Sequence, residues 1–178
     1  QTNFHERATS TQQTGFSFVA QSRASLPGPI GGILWFGVDD TATTVYVPMH
    51  AGILEAPRAF APGTADFRTF SWDSAFWTFN WVSNWVYTRW RDMIVDLRDA
   101  RQSLEGAFVA EIPEIDRAAL ELYRRSPRQA REHLTAYAAD RTAQERAQDC
   151  AVAKIPSAAP RSVPGAASVS RAGNRASR

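Results

Sequence analysis

Few side chains in this sequence combine a reactive type with the spacing of a catalytic or metal-binding site. The three histidines, His5, His50 and His133, lie far apart and lack the spacing of a metal-binding pair on a helix. A structural or surface role is favoured for each. The one cysteine, Cys150, lies at the edge of a predicted disordered tail, which disfavours it as a catalytic thiol. The sequence therefore predicts no metal site and no cofactor, and it assigns no nucleophile.

One adjacent pair of acidic residues, Asp39 and Asp40, has two interpretations. The two carboxylates could ligate a metal or act as acid and base. Aspartate also favours turns, and the segment DDTAT separates two apolar runs, so a hairpin loop is the favoured interpretation. The glycine-rich segment GPIGG (28–32) lacks the Lys-Ser/Thr ending of a phosphate-binding loop and is interpreted as a turn.

Three antiparallel strands are predicted between about residues 14 and 49. In Thr14–Arg23 the alternation indicates a strand with one better-buried face. The run Ile33–Val38 is apolar on both faces, which indicates a central strand covered above and below. The run Thr44–Met49 forms the third strand, and Pro48 marks its end or a sheet edge.

Helices are predicted from about residue 72 to residue 149. The first is capped by Ser71 or Asp73 and is expected to run to about Leu104, with Gly106 as its stop. The second spans roughly Ile115–Arg125. The third has a clear start: Ser126 as the cap, Pro127 at the first position and Gln129 completing a capping box.

Five tryptophans crowd into the first of these helices: Trp72, Trp77, Trp81, Trp85 and Trp90. The helix is apolar nearly all round, so we expect it to be buried on most sides. Its exceptions fall within one narrow polar sector, which comprises Asp73, Asn80, Asn84, Tyr87 and Arg91. That sector is either the solvent edge of the helix or a lining that hydrogen-bonds irregular backbone at a site.

The charge of the chain is concentrated at its end. The net charge is +2, but residues 154–178 carry five basic residues and no acid, so the remainder sums to 15 − 18 = −3. A nucleic-acid partner is therefore unlikely. The chain divides into a domain over residues 1–149 and a disordered basic tail over 150–178. The apolar segment Ser74–Thr88 is too short to span a membrane. The single cysteine slightly favours a cytoplasmic location.

The predicted elements leave too much apolar surface without a partner. Helices supply one layer against the sheet, whereas the central strand needs cover on both faces, and a second sheet is the natural missing layer. The sequence thus predicts an α+β chain that forms half of a helix–sheet–sheet–helix sandwich. If the second sheet is missing, apolar groups on the sheet and the tryptophan helix are expected to promote aggregation.

Four segments carry a family resemblance: QQTGFSFVAQSR, PIGGILWFGVDD, TTVYVPMHAGI and FSWDSAFWTFNWVSNWVYTR. Together they resemble the C-terminal half of dipeptidase A-type cysteine peptidases, which are N-terminal-nucleophile hydrolases related to the secernins. The resemblance implies an αββα sandwich and hydrolysis of dipeptides by an N-terminal cysteine. No cysteine lies near Gln1, so the chain is expected to be a fragment that is inactive alone. Its missing N-terminal half would be a partner, and the complete enzyme is expected to form a homo-oligomer.

The resemblance also suggests residues that could form one wall of the substrate pocket. In related acylases the start of the corresponding helix contributes an arginine, but the matching position here is Ala75. Asp73, Ser74 and Asn80 are the candidates for lining the pocket. The alternative function is a non-catalytic interaction module, or a subunit that pairs with a separate N-terminal half, with a basic tail able to bind nucleic acid weakly. Hydrolysis by the 178 residues alone would redirect the search for a nucleophile to Thr2, Ser10 and Cys150.

Overall fold

The computed structural model describes residues 10–153. In chain order its elements are β1 (Phe16–Ser22), α1 (Gly28–Gly31), β2 (Gly32–Val38), β3 (Val47–His50), a 3-10 turn (Arg58–Phe60), α2 (Ala75–Thr88), α3 (Trp90–Arg125) and α4 (Pro127–Ala153). Three antiparallel strands thus precede long helices, which confirms the predicted α+β class. The short α1 lies where the sequence predicted a plain turn.

The sheet has the order β1-β2-β3, so β2 is central as predicted and β3 with Pro48 is an edge of the described sheet. The third strand begins at Val47 rather than at Thr44. The reason is that the backbone amides of Thr43 and Thr44 both donate to the Asp40 carbonyl, at 3.0 and 2.9 Å, which prolongs the turn. Ladder pairing can start only beyond it.

The two faces of the central strand are covered unequally in the part of the chain that the structure describes. Ile33 packs against Ile112 and Tyr137 of the helical layer. On the opposite face Phe16, Phe18 and Leu34 are exposed. These three side chains, called the open face below, share a side of the sheet because Phe18 pairs with Phe36 and Ala20 pairs with Leu34. On the same face Val38 is buried and Phe36 packs against Phe60, so the expected cover on both sides of β2 is present only towards the end of the strand. The expected better-buried face of β1 is wrong for residues 10–153.

The first two predicted helices have different boundaries in the structure. The residue before α2 is Ser74, not Ser71 or Asp73, and the Ser71 hydroxyl accepts instead from the Asp73 amide at 3.1 Å. The helix ends at Thr88, where Arg89 leaves helical geometry with φ −144° and ψ 53°. The predicted continuation of this helix to Leu104 is therefore interrupted.

Gly106 does not stop a helix, because α3 runs through it to Arg125 and includes the predicted second helix. A glycine inside a helix costs only about 1 kcal/mol relative to alanine. Leu104 and Phe108 on either side of it are buried in the core with Phe79 of α2, and that packing outweighs the cost. The start of α4 at Pro127 is confirmed, with the Gln129 amide donating to the Ser126 hydroxyl at 3.4 Å. Helix α4 continues through Ala153, and residues 154–178 of the predicted tail lie outside the described residues.

The tryptophan helix is less buried than its sequence predicts. Its core face is built from small and medium side chains together with Phe79, whereas Phe76, Trp81 and Trp85 are exposed. The expectation of burial on most sides fails because the described helices and sheet contact only one flank of α2. Among residues 10–153 no helix is both long and apolar enough to cross a membrane.

A buried ionic cluster ties the sheet to the helical layer. The carboxylate of Asp116 in α3 accepts from the guanidinium of Arg23, which follows β1, and from Nε2 of His50 at 3.1 Å. Burial lowers the pKa of His50, while the neighbouring Asp116 opposes that shift. The imidazole is thus favoured in its neutral form and donates its Nε2 hydrogen to the carboxylate.

Candidate functional site at the end of the central strand

Two buried carboxylates lie directly after β2. Asp39 and Asp40 are 2% and 0% exposed, which is unusual for acidic side chains. Asp39 also has a left-handed backbone conformation, with φ 66°, and its amide donates to the Gly15 carbonyl at 2.9 Å. Buried charge combined with an uncommon backbone conformation makes this position a candidate site.

Asp40 accepts hydrogen bonds from three directions. Its Oδ1 accepts from the Ser10 hydroxyl at 2.6 Å and from the Ala42 amide at 3.0 Å. Its Oδ2 accepts from the Tyr87 hydroxyl at 2.5 Å. The bond to Ala42 forms an Asx turn, so the predicted turn is confirmed. The same carboxylate joins that turn to helix α2.

Asp39 contacts the same helix about two turns earlier. The Asn80 side-chain amide donates to Asp39 Oδ1 at 3.3 Å, and the Asn84 amide donates to Asn80 Oδ1 at 3.0 Å. Asp39, Asp40, Ser10, Asn80 and Tyr87 are called the Asp corner below. For Asn80 and Tyr87 the solvent-edge interpretation of the polar sector is wrong, and bonding to an irregular loop is right. Asn84 and Arg91 are exposed, as a solvent edge requires.

The environments of the two carboxylates push their pKa values in opposite directions. Burial raises the pKa of Asp39, and the hydrogen bond from Asn80 offsets only part of that rise. Burial acts in the same sense on Asp40, but the bonds from Ser10, Tyr87 and the Ala42 amide outweigh it and lower the pKa of Asp40. Burial and the bond to Asp40 raise the pKa of Tyr87 to about 12.

This arrangement favours one ionised carboxylate beside one that keeps its proton more readily. Such divergent pairs are suited to acid–base work when a substrate can reach them. In the described part of the chain no group of three or more His, Cys, Asp or Glu side chains could hold a metal ion. The metal-ligand interpretation of Asp39 and Asp40 therefore has no third His, Cys, Asp or Glu ligand among residues 10–153.

The structure brings one of the three predicted wall residues into the Asp corner. Asn80 belongs to it, whereas Asp73 and Ser74 precede α2 by a residue or two. Six residues of helix separate Ser74 from Asn80, which corresponds to roughly 9 Å along the axis. Ser74 is buried, and its carbonyl accepts the first helical bond, from the Thr78 amide at 3.1 Å. The substrate-binding roles of Asp73, Ser74 and Asn80 stay predictions.

Sequence reasoning did not place Ser10 and Tyr87 at a common site. The sequence suggests Ser10 only as an alternative nucleophile, and 30 residues separate it from Asp40. For Tyr87 a usable signal existed. It shares one helical sector with Asn80 and Asn84, and a polar sector on an otherwise apolar helix requires polar groups opposite it.

A comparison with protein-family models matches residues 1–103 to the model described as Peptidase family C69. The match covers more than half of the 178 residues. The chain belongs to peptidase family C69. The predicted resemblance is thereby confirmed, and membership makes hydrolysis by a cysteine peptidase the class of function. Among curated proteins none matches the chain significantly.

The matched segment of this C69 chain contains the whole Asp corner and the three predicted wall residues. It ends inside α3, before Asp116 and before α4. The one cysteine of the chain, Cys150, lies beyond it. The family relationship therefore applies to the sheet, the corner and α2.

Proposed function

We propose that the complete protein is a dipeptidase, and that residues 1–178 form one wall of its active site. The nucleophile is an N-terminal cysteine supplied by a segment outside these residues. One observation carries the proposal: the C69 match contains the sheet and the Asp corner, whereas the only cysteine of the chain lies beyond it. A cysteine peptidase needs an activated thiol beside a proton acceptor.

The open face of the sheet supports a missing second layer. Phe16 and Phe18 are 60% and 55% exposed on the same face of a strand, where large aromatic side chains normally pack against a neighbouring layer. Two sheets pack about 10 Å apart when their apolar faces meet. A second sheet on this face would cover Phe16, Phe18 and Leu34 and complete the αββα sandwich.

The Asp corner gives the predicted wall a physical basis. Hydrogen bonds from Asn80 and Tyr87 fix α2 against the end of β2. A helix held at two points presents its N-terminal end, with Asp73 and Ser74 directly before it, in a defined position. Free dipeptides carry an ammonium and a carboxylate, so a wall with both acidic and amide groups suits them. Asn80 is proposed to orient the substrate, and Asp39 keeps Asn80 in place.

The test is hydrolysis of a panel of dipeptides by two proteins. One is the 178-residue chain, and the other is the same chain extended upstream to the N-terminal cysteine of its parent. Activity confined to the extended protein and abolished by Cys→Ala is the expected result. Clear activity of the 178 residues alone would contradict the proposal, since their only cysteine is Cys150.

The wall is tested separately in the extended protein. Asn80→Ala is expected to lower kcat/KM for dipeptides about tenfold, the effect of one lost orienting interaction. Asn84→Ala is the matched control, because this exposed amide lies one turn further along α2 and its bonds go to Asn80 rather than to Asp39. Equal effects of the two substitutions would remove Asn80 from the wall.

A further inference from the structure

Two histidines lie between the sheet and helix α4. His50, at the end of β3, is buried, and its ring packs edge-on against Tyr137 of α4 with the ring centroids 6.2 Å apart. His133 lies on α4 one turn before Tyr137 and is near enough for its charge to act on His50. His50 and His133 are called the histidine pair below. The pair lies at the opposite end of β2 from the Asp corner, because His50 is paired with Ile33 at the start of that strand.

Each histidine has one buried ring nitrogen without a hydrogen-bond partner among residues 10–153. These atoms are Nδ1 of His50 and Nε2 of His133, although His133 as a whole is only half-buried. A neutral imidazole tolerates this arrangement, because one of its two nitrogens carries no hydrogen. A second proton turns that nitrogen into a donor, and a buried N–H without an acceptor is destabilising. The surroundings of both rings therefore favour uncharged histidine.

The charges around the pair are already balanced. Arg23, which follows β1, and Nε2 of His50 both donate to the one carboxylate of Asp116 on α3. On the side of α4, Arg141 donates to Glu111 of α3 at 3.1 Å. Two cations thus face two anions while the histidines are neutral. Burial lowers the pKa of His50, and the charge of Arg23 acts in the same sense, while Asp116 offsets part of the effect.

We propose that the histidine pair is an acid-sensitive contact, which holds α4 on the sheet at neutral pH and releases it in mildly acidic solution. A proton on each ring adds two positive charges to a region whose other charges already cancel. Release of α4 exposes both rings to water, where each can bind a proton at no such cost. Helix α4 follows all the other described elements, so its release breaks no strand ladder and leaves the bonds of Arg23 and His50 to Asp116 in place.

The direction and size of the effect follow from proton linkage. Because the pKa of His50 is lowered when α4 is attached, its contribution is complete above the ordinary value of 6.5 and is lost as the pH falls below that value. One proton taken up on release shifts the equilibrium between attached and released α4 by about tenfold per pH unit, and a second proton makes the dependence steeper. Asp116 and α4 lie beyond the segment matched to family C69, so the proposal is independent of the dipeptidase activity.

The experiment is hydrogen–deuterium exchange of the 178-residue chain between about pH 7 and pH 5, the range in which histidine titrates. Exchange is read by mass spectrometry of peptides and corrected for its intrinsic dependence on pH. The protection of α4 amides is expected to fall about tenfold or more, whereas β1, β2 and α2 keep theirs. Constant protection of α4 would overturn the proposal. An equal loss in every element would do so too, because it would mean unfolding of the whole domain.

Variants of the pair test its role directly. Glutamine does not bind a proton in this range, and at position 50 its amide can still donate to Asp116. His50→Gln combined with His133→Gln should therefore keep α4 protected over the whole range. Asp140→Asn is the matched control, because Asp140 is exposed on α4 and its replacement should leave the acid release unchanged.

A single substitution guards against misfolding of the double variant. His133→Gln leaves every bond to Asp116 in place and should make the loss of α4 protection less steep with pH. A double variant that still releases α4 in acid, or a His133→Gln chain with the slope of the wild type, would contradict the proposal.

Discussion

Replacing Tyr87 with phenylalanine removes one hydroxyl from the Asp corner and keeps the ring that stacks on Trp90 at 4.8 Å. The hydroxyl donates to Asp40 at 2.5 Å, and Asp40 keeps its other bonds, from Ser10 and the Ala42 amide. The substitution therefore isolates a single charge-assisted hydrogen bond between α2 and the turn after β2.

The expected cost follows from the type of bond. Hydrogen bonds to charged groups contribute about 1.5–3 kcal/mol. Tyr87 is half-buried, so solvent screens the bond and the low end, about 1.5 kcal/mol, applies. For a chain of this size that corresponds to a fall in Tm of about 3–6 °C.

The cost should depend on pH in a defined way. The lowered pKa of Asp40 means that its contribution is present above the usual value of 3.8 and is lost as the pH falls through the folded value. The raised pKa of Tyr87 means that its contribution is present below 10.0 and is lost as the pH rises to about 12. The difference between wild type and Tyr87→Phe should therefore be flat between these limits and shrink beyond both.

Urea unfolding followed by tryptophan fluorescence measures this difference at each pH. Tyr46→Phe is the matched control: it removes the same hydroxyl, which is paired with Ser17 at 2.7 Å and not with a carboxylate. Its cost should not decline in the acid range. If Tyr87→Phe is neutral at pH 7, or if its cost persists at acid pH like that of Tyr46→Phe, the ionic account of the corner is wrong.

Three further predictions concern stability and use the same urea assay. Asp39→Asn should leave the free energy of unfolding unchanged or raise it, because burial already disfavours the Asp39 charge. Asp40→Asn should lower the free energy of unfolding by about 1.5–3 kcal/mol. The reverse order of the two effects would contradict the assigned pKa directions. Phe108→Ala should cost about 3–5 kcal/mol because Phe108 is fully buried, while Val109→Ala beside it should stay within about 0.5 kcal/mol; similar costs would refute the packing of α3. Because the pKa of His50 is lowered, its contribution to the free energy of unfolding is present above pH 6.5 and is lost as the pH falls below that value. His50→Gln should therefore flatten the pH dependence of stability in this range. An unchanged slope of stability against pH would exclude this role of His50.

The sequence predicted the elements with strong local signals. The positions of the strands and the start of α4 at Pro127 follow from apolar runs, turn residues and capping chemistry, which act over a few residues. The helix limits near Arg89 and Gly106 were mispredicted because packing decided them. A glycine between two buried side chains continues a helix, and an arginine with no breaker signal ends one.

The candidate site was only partly predictable for a related reason. The polar sector of α2 was visible in the sequence, but which groups face it depends on how the helix docks on the sheet. Asp40 meets Tyr87 across 47 residues, and no local pattern encodes that pairing. Asp39 and Asp40 formed the expected turn, while their second role required the tertiary structure.

The cluster around Asp116 has a consequence for the order in which the fold is acquired. Its carboxylate meets His50 across 66 residues and Arg23 across 93, among the longest separations bridged by side-chain bonds in the described chain. Contacts of such high sequence separation require large loops to close and slow the search for the native topology. On a ribosome β1 and β3 are complete well before α3 leaves the exit tunnel. Until α3 emerges, the nascent sheet therefore lacks the contacts of Arg23 and His50 with Asp116 and is held together only by the hydrogen bonds between its strands.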